Sequence, residues 1–222
     1  MLFYLVRHGQ TDWNRAGKIQ GTTDIPLNET GRQQAEQLAG VLKERSGYPA
    51  GTRIDAVYAS PLARAFQTAE ILAGKEKLPL RRLTELRERD FGCWEGKNWQ
   101  EVEAEYPDEF HLWREQPMVG IPSGGESRKS CEARSGRAIR RILEETAGDA
   151  VIVAHGGILV FLMNYLLRFQ REPQEIIVAN ASLSIVSYDR STGMGKLLAL
   201  NETGELETKE SVFGVRKRAF KK

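Results

Sequence analysis

The chain has 222 residues, enough for one large domain or two small ones, and its apolar fraction of 41% and charged fraction of 28% are those of an ordinary globular protein. A formal net charge of +2 argues against a dedicated nucleic-acid binder, and two cysteines, Cys93 and Cys131, supply neither a disulfide framework nor a zinc cage. No apolar stretch approaches the ~20 residues needed to span a bilayer, and the N-terminal apolar run lacks the flanks of a signal peptide. A protein of the reducing cytoplasm is expected, with no membrane and no nucleic-acid partner.

The first run, residues 2–6, is short, apolar and rich in β-formers, so it predicts a buried strand. It ends in Arg7, His8 and Gly9, at the carboxyl end of a strand, where open α/β sheets keep their chemistry. Alone, the triplet fits equally a core strand ending in a solvated arginine and a turn. Residues 10–28 are polar and turn-rich and predict a long loop over that strand end. Asn28 offers a helix N-cap, and Ala35, Leu38, Ala39 and Leu42 give the helix one apolar face. Gly47, Pro49 and Gly51 are expected to end it. A second strand over residues 55–59 leads into Ser60 as N-cap and Pro61 as first helical residue. Leu62, Ala65, Phe66, Ala69 and Leu72 make the buried face of that helix, and Arg64 falls in its first turn, where an exposed arginine is an equally good reading.

A short strand near residues 78–83 precedes a charged stretch, 85–96, that also carries Phe91 and Trp94 and reads as a partly buried rim. Two helical pieces follow, over residues 98–106 and 107–115, and then a loop to residue 125. Residues 94–125 are too few to bury a core of their own and are read as a small helical cap inserted into the main domain. Ser127 caps a long helix running to about residue 146. A fully apolar strand, 150–154, then ends in His155, Gly156 and Gly157, ahead of an almost wholly apolar helix. Two closing strands, 184–189 and 196–201, complete the pattern. Alternating strands and helices predict an α/β fold: a three-layer α/β/α sandwich with a mostly parallel six-stranded sheet and one antiparallel strand. Residues 1–205 read as one domain, and residues 206–222 as a basic, solvated tail.

Two of the three histidines thus follow apolar strands in matched positions. If those strands are neighbours, Arg7, His8, Arg64 and His155 meet at one sheet edge. Two guanidiniums and two imidazoles suit a phosphate monoester, because arginine forks match phosphate oxygens and adjacent glycines let backbone N–H groups approach. Such a pocket would stabilise a phosphoryl group in transfer without a metal or cofactor. His111 matches no catalytic pattern and reads as an ordinary, partly buried histidine. Cys93 and Cys131 read as structural. Residues 92–97 look like a phosphate loop but are one residue short and lack its Ser/Thr.

At the level of motifs the chain resembles the histidine phosphatases, the superfamily that includes the cofactor-dependent phosphoglycerate mutases. The resemblance rests on residues 7–14 (Arg-His-Gly-Gln-Thr-Asp-Trp-Asn), 60–69 (Ser-Pro-Leu-Ala-Arg-Ala-Phe-Gln-Thr-Ala), 86–96, 122–127 (Pro-Ser-Gly-Gly-Glu-Ser) and 153–157 (Val-Ala-His-Gly-Gly). Five segments in the family's order are specific where any one is weak. The resemblance implies that His8 is the nucleophile and forms a phosphohistidine. It implies that Arg7, Arg64 and His155 bind the phosphoryl oxygens with help from Asn14, Gln20, Gly21 and the Gly156 amide, and that Glu88 donates the proton. The residues alone leave Glu88, Glu85, Asp90 and Glu95 open for that last role; the family pattern selects Glu88.

The mutases resembled here carry a proline-rich segment with basic residues after the Glu-Arg region. This chain instead runs acidic through Glu101, Glu103, Glu105, Asp108 and Glu109, which favours hydrolysis over phosphoryl transfer to a second hydroxyl. The Phe-Gly-x-Trp-Glu-Gly and Pro-x-Gly-Gly-Glu-Ser patterns look like α-ribazole-phosphate phosphatases of cobalamin assembly and broad-specificity bacterial phosphatases. A small phosphorylated substrate is therefore expected, with α-ribazole 5′-phosphate the specific candidate. The alternatives are a mutase and, from another class, a non-catalytic phosphate-binding module. Oligomeric state is left open.

Overall fold

Period-two alternation in the first apolar run decides how the layers stack. In the computed structural model, which describes residues 1–46, 53–116, 120, 122–168 and 177–203, that run is strand β1 (Leu2–Arg7). Leu2, Tyr4 and Val6 join one apolar cluster, and Phe3 and Leu5 join another on the opposite side, as a pleated backbone requires. The chain continues through α1 (Asp12–Arg15), α2 (Glu29–Arg45), β2 (Ile54–Ala59), α3 (Ala63–Glu76) and β3 (Leu80–Arg82). Helices α4 (Trp99–Glu105), α5 (Pro107–Glu115) and α6 (Arg128–Glu145) precede β4 (Asp149–Ala154), α7 (Gly156–Leu167), β5 (Ser182–Asp189) and β6 (Met194–Thr203).

The six strands lie in the order β3-β2-β4-β1-β5-β6, and only β5 runs against its neighbours. Helices α2 and α3 cover one face, burying Leu38, Leu42, Ala65 and Leu72 against Tyr4 and Val6. Helices α6 and α7 cover the other, burying Ile139, Ile142, Ile158 and Leu162 against Phe3 and Leu5. The expected three-layer sandwich, with its one antiparallel strand, is what forms. Each fully buried aliphatic side chain stabilises it by about 1.5–3 kcal/mol relative to exposure. No helix among the described residues is long and apolar enough to cross a membrane.

Local expectations fare unevenly. Asn28 and Ser127 cap α2 and α6 by accepting from Gly31 N at 2.8 Å and Ser130 N at 3.2 Å. Ser60 is not the N-cap of α3. Its own N–H still bonds Val153 O at 3.0 Å, so the chain stays extended through Ser60 and turns only after it, leaving Leu62 in the cap position. His111 is exposed, its Nδ1 lying 3.4 Å from Arg114. The expected stop at Gly47, Pro49 and Gly51, and the tail of residues 206–222, fall outside the described residues.

The segment after residue 94 packs around Ile19, Trp94 and Val102, with Trp99 and Trp113 edge-on to Trp94 at 6.2 and 5.8 Å. Ile19 comes from the loop after β1 and exchanges backbone bonds of 2.9 Å with Gly96 and Lys97. This small core thus borrows a residue from the strand-end loop, as its length requires.

Two glycines bring α2 against the turn after β1. A Cβ on Gly31 would lie 2.1 Å from Gln10 O, and one on Gly9 would lie 2.3 Å from Gly31 O. These atoms are backbone and cannot swing aside. Gly31→Ala is expected to destabilise the fold by about 1–3 kcal/mol through overpacking, read as a lower urea midpoint at unchanged slope.

Candidate active site

Parallel pairing of β1 with β4 sets Arg7 opposite Ala154, so the residues that follow each strand end side by side. His8 N donates to Ala154 O at 3.1 Å, and the His8 and His155 rings stand 5.1 Å apart between centroids. On the far side of β4, β2 ends at Ala59, and the turn into α3 brings Arg64 to the same edge. Arg64 is 1% exposed, so the exposed-arginine reading fails.

His8 Nδ1 lies 2.7 Å from Gly9 O. A carbonyl only accepts, so Nδ1 carries the proton and Nε2 presents its lone pair. Burial, then the Arg64 and Arg7 charges, hold the His8 pKa well below its usual 6.5 and keep the ring neutral. His155 is fully buried and its pKa is lowered in the same way, by burial first and then by Arg64. Its Nε2 lies 2.8 Å from Ser60 Oγ.

The two arginines are held by carbonyl oxygens. Arg64 donates to Thr23 O at 2.8 Å and Gly21 O at 2.7 Å, and Arg7 to Val178 O at 2.5 Å. Burial lowers each pKa to about 10, against the opposing pull of Glu88, so both stay charged at neutral pH. Arg7 Nε, Arg64 Nε and His155 Nδ1 are buried without a hydrogen-bond partner among the described residues. Three orphaned nitrogens beside one neutral imidazole are rare in a folded interior unless a ligand pairs with them.

Glu88 closes the constellation from the α7 side. Its Oε1 accepts from Arg89 N at 2.8 Å and Ile158 N at 2.9 Å, and its Oε2 from Gly157 N at 3.0 Å. The carboxyl group thus caps the first turn of the helix that follows His155, where the backbone dipole favours negative charge. A Cβ on Gly157 would sit 2.7 Å from Glu88 Oε1, so this approach needs glycine. Two rival acids are engaged elsewhere. Glu95 accepts from the backbone and hydroxyl groups of Thr22 and Thr23 and from Phe91 N, and Asp90 accepts from Gly92 N at 2.8 Å.

The remaining expected residues lie around this centre in differing ways. Asn14, in α1, accepts at Oδ1 from Thr11 N at 3.1 Å and Asn180 Nδ2 at 3.2 Å, so its amide nitrogen is the end left to donate. Gln20 is buried, accepting from Thr11 Oγ at 2.9 Å. Gly21 has φ +50°, and a Cβ there would collide with Glu95; its carbonyl positions Arg64. Gly156 opens α7, and a Cβ on it would press on the Arg7 guanidinium at 3.3 Å. Among the described residues no three His, Cys, Asp or Glu side chains are grouped to hold a metal ion.

Sequence reasoning missed Ser60 as a partner of His155, and it missed the segment before β5. There Ala181 N and Asn180 Nδ2 donate to His8 O at 3.0 and 3.3 Å, and Val178 O receives Arg7. Ser60 was findable, since it follows the strand beside the one ending in His155. Residues 178–181 carry no motif that announces them.

Comparison with known proteins agrees with this geometry. The family model of the histidine phosphatase superfamily (branch 1) matches residues 3–203. Phosphoglycerate mutase-like protein 4 of Arabidopsis thaliana is 35% identical over 92% of this chain and 89% of its own. A metal-independent phosphoserine phosphatase of the same plant is 37% identical over 82% and 74%. Among solved structures, a putative α-ribazole-5′-P phosphatase of Escherichia coli superposes with a TM-score of 0.79 at 28% identity, covering 91% of this chain and 96% of its own. With the family model spanning both histidine-bearing strands and everything between them, the chain belongs to branch 1 of the histidine phosphatase superfamily.

Proposed function

We propose that this protein hydrolyses a small phosphomonoester, without a metal, through a phosphohistidine on His8. The observation that carries this reading is the set of buried, unpartnered nitrogens on Arg7, Arg64 and His155 beside a neutral His8 whose Nε2 is the bare nitrogen. The two arginine N–H groups, with His155 Nδ1–H in the tautomer whose Nε2 accepts from Ser60 Oγ, match the oxygens of a phosphoryl group, whose charge they would stabilise as it shifts between the attacking and leaving atoms.

In the first step the His8 Nε2 lone pair attacks phosphorus, the ester P–O bond breaks, and Glu88 protonates the departing alkoxide. In the second, Glu88 takes a proton from water as that water attacks phosphorus, and the N–P bond breaks to release phosphate. A carboxyl group offers about four lone-pair positions, and both on Oε1 already accept N–H groups. The proton in transit therefore rides on Oε2, which has one position left beside its bond from Gly157 N. Asn14, Gln20, Gly21 and the Gly156 amide would complete the phosphate cradle.

Residues 1–205 would act as one unit, with residues 94–125 as a cap that shapes the leaving-group side. Hydrolysis is favoured over mutase chemistry because the cap's cations are already paired, Lys97 with Glu105 at 2.8 Å and Arg114 with Glu103 at 3.9 Å. They leave no cation pair there for a second anionic group. The specific substrate candidate is α-ribazole 5′-phosphate, supported by the motif pattern and by the likeness to the E. coli structure. Free Cys93 and Cys131 fit a reducing compartment, the cytoplasm.

Quenching in alkaline detergent during turnover of a 32P-labelled monoester is expected to trap an alkali-stable, acid-labile phosphoprotein, and His8→Ala to abolish both it and hydrolysis of p-nitrophenyl phosphate. A non-catalytic binding module would trap none, and full activity in His8→Ala would end the mechanism. Arg64→Ala should slow turnover on the order of 10²-fold or more, as loss of one transition-state donor does.

Acidity gives a third check. A neutral buried His8 predicts that kcat/KM, which reports the free enzyme, shows no acid limb at the ordinary histidine pKa of 6.5. Stability behaves differently. Below pH 6.5 the unfolded chain protonates His8 and His155 while the folded one resists, so unfolding free energy falls with falling pH. Each histidine contributes up to about 1.4 kcal/mol per pH unit until its folded pKa is reached, measurable by urea titration at pH 7 and pH 5.

A further inference from the structure

The segment that carries Glu88, residues 84–91, is neither helix nor strand beyond one 3-10 turn at Thr84–Leu86. Buried backbone carbonyls in such a segment need partners from elsewhere. They find them in one side chain. Arg134, on the inner face of α6, donates from Nη1 to Glu85 O at 2.7 Å and Arg87 O at 2.6 Å, and from Nη2 to Glu88 O at 3.1 Å. The two remaining N–H groups grip Glu126: Nε to Oε1 and Nη2 to Oε2, each at 2.8 Å. A guanidinium has five N–H donors, and all five are occupied.

The pair is interior. Side-chain exposure is 3% for Arg134 and 8% for Glu126. Glu126 is tied to the same segment from its other side, its N–H donating to Asp90 O and its carbonyl accepting Arg89 Nε, both at 2.9 Å. The Pro-Ser-Gly-Gly-Glu-Ser stretch and α6 thus converge on the carbonyls of Glu85, Arg87, Glu88 and Asp90, on either side of and including Glu88. Among the described residues neither Arg134 nor Glu126 hydrogen-bonds the carboxyl group of Glu88, which accepts from the backbone N–H groups of Arg89, Gly157 and Ile158.

We infer that the buried Arg134–Glu126 pair is a positioning device for Glu88, fixing its backbone so that the proton on Oε2 meets the leaving oxygen. The inference rests on the proposed role of Glu88 as proton donor. In kcat/KM, which covers only phosphorylation of His8 and not the later attack of water, it predicts a defect confined to leaving groups that need a proton. Lysine at position 134 offers at most three donors on a freely rotating ammonium, so it cannot reproduce the fork.

The test compares kcat/KM on two monoesters of nearly the same shape. p-Nitrophenyl phosphate departs as a stable phenolate without help, whereas p-nitrobenzyl phosphate departs as an alkoxide that needs protonation. Arg134→Lys and Glu126→Gln should each lower kcat/KM on the benzyl ester by about 10²-fold, the usual worth of a general acid. On the phenyl ester the loss should stay within about threefold, and inhibition by inorganic phosphate should be unchanged. A merely structural role would depress both esters alike, and that outcome, or no loss on either, overturns the inference. If Arg134→Lys does not fold, Glu126→Gln carries the same comparison with Arg134 in place. Glu88→Gln tests the reading beneath: equal loss on both esters there removes Glu88 as the acid, whereas selective loss in Glu88→Gln without it at 126 and 134 removes only the positioning role.

Discussion

The hydrogen-bonded pairing of β1 with β4 is the constraint from which the rest of the site follows. Parallel strands in register end at the same level, so the residues just past them become neighbours although they are far apart in the chain. His8 and His155 meet for that reason. β2, paired with the other edge of β4, ends at the same level and delivers Ser60 and Arg64. The two histidines and two arginines gather at the carboxyl ends of three adjacent strands, where open α/β sheets place ligands and helices begin.

Gathering positive charge in an interior carries a desolvation cost, and the structure shows how it is offset. Arg7 and Arg64 are anchored through backbone carbonyls, which solvate a guanidinium without neutralising it. The nearby carboxylate, Glu88, is itself fastened to the first turn of α7. The arginines keep their charge, their Nε–H groups stay unpartnered among the described residues, and burial first, then their field, keeps both imidazoles neutral. In the proposed reaction, one arrangement would thereby supply both phosphate affinity and a nucleophile that stays unprotonated.

Around this centre the supporting contacts are made by, or to, irregular chain. Residues 178–181 hold Arg7 and the carbonyl of His8; Glu95 binds the strand-end loop through Thr22 and Thr23; Arg134 and Glu126 hold the segment bearing Glu88. Loops cannot fix a side chain through ladder bonds, so buried charged groups do it instead. This is why several of the most buried polar residues touch no reacting group.

Much was legible in the chain itself. Short apolar runs and period-3.6 patterns define the strands and helices of the sandwich, and two apolar strands ending in histidine beside glycine, taken with Arg7 and Arg64, point to a phosphate site. Residues 28 and 127 cap helices through local bonds, which sequence reads well. Tertiary structure alone decided the rest. Ser60 looked like a local cap but follows β2 with its N–H still bonded to Val153 and turns its hydroxyl to His155, a contact 95 residues away in the chain. Arg64 looked equally at home on the surface until α3 docked and buried it. Glu88 is separated from Glu95 and Asp90 by the donors each carboxylate meets: Gly157 and Ile158 for Glu88 and Thr22 and Thr23 for Glu95, all distant in the chain, against the adjoining Gly92 for Asp90. Local patterns specify where a residue's neighbours in the chain go; which distant donor satisfies a buried charge is settled only when the layers close.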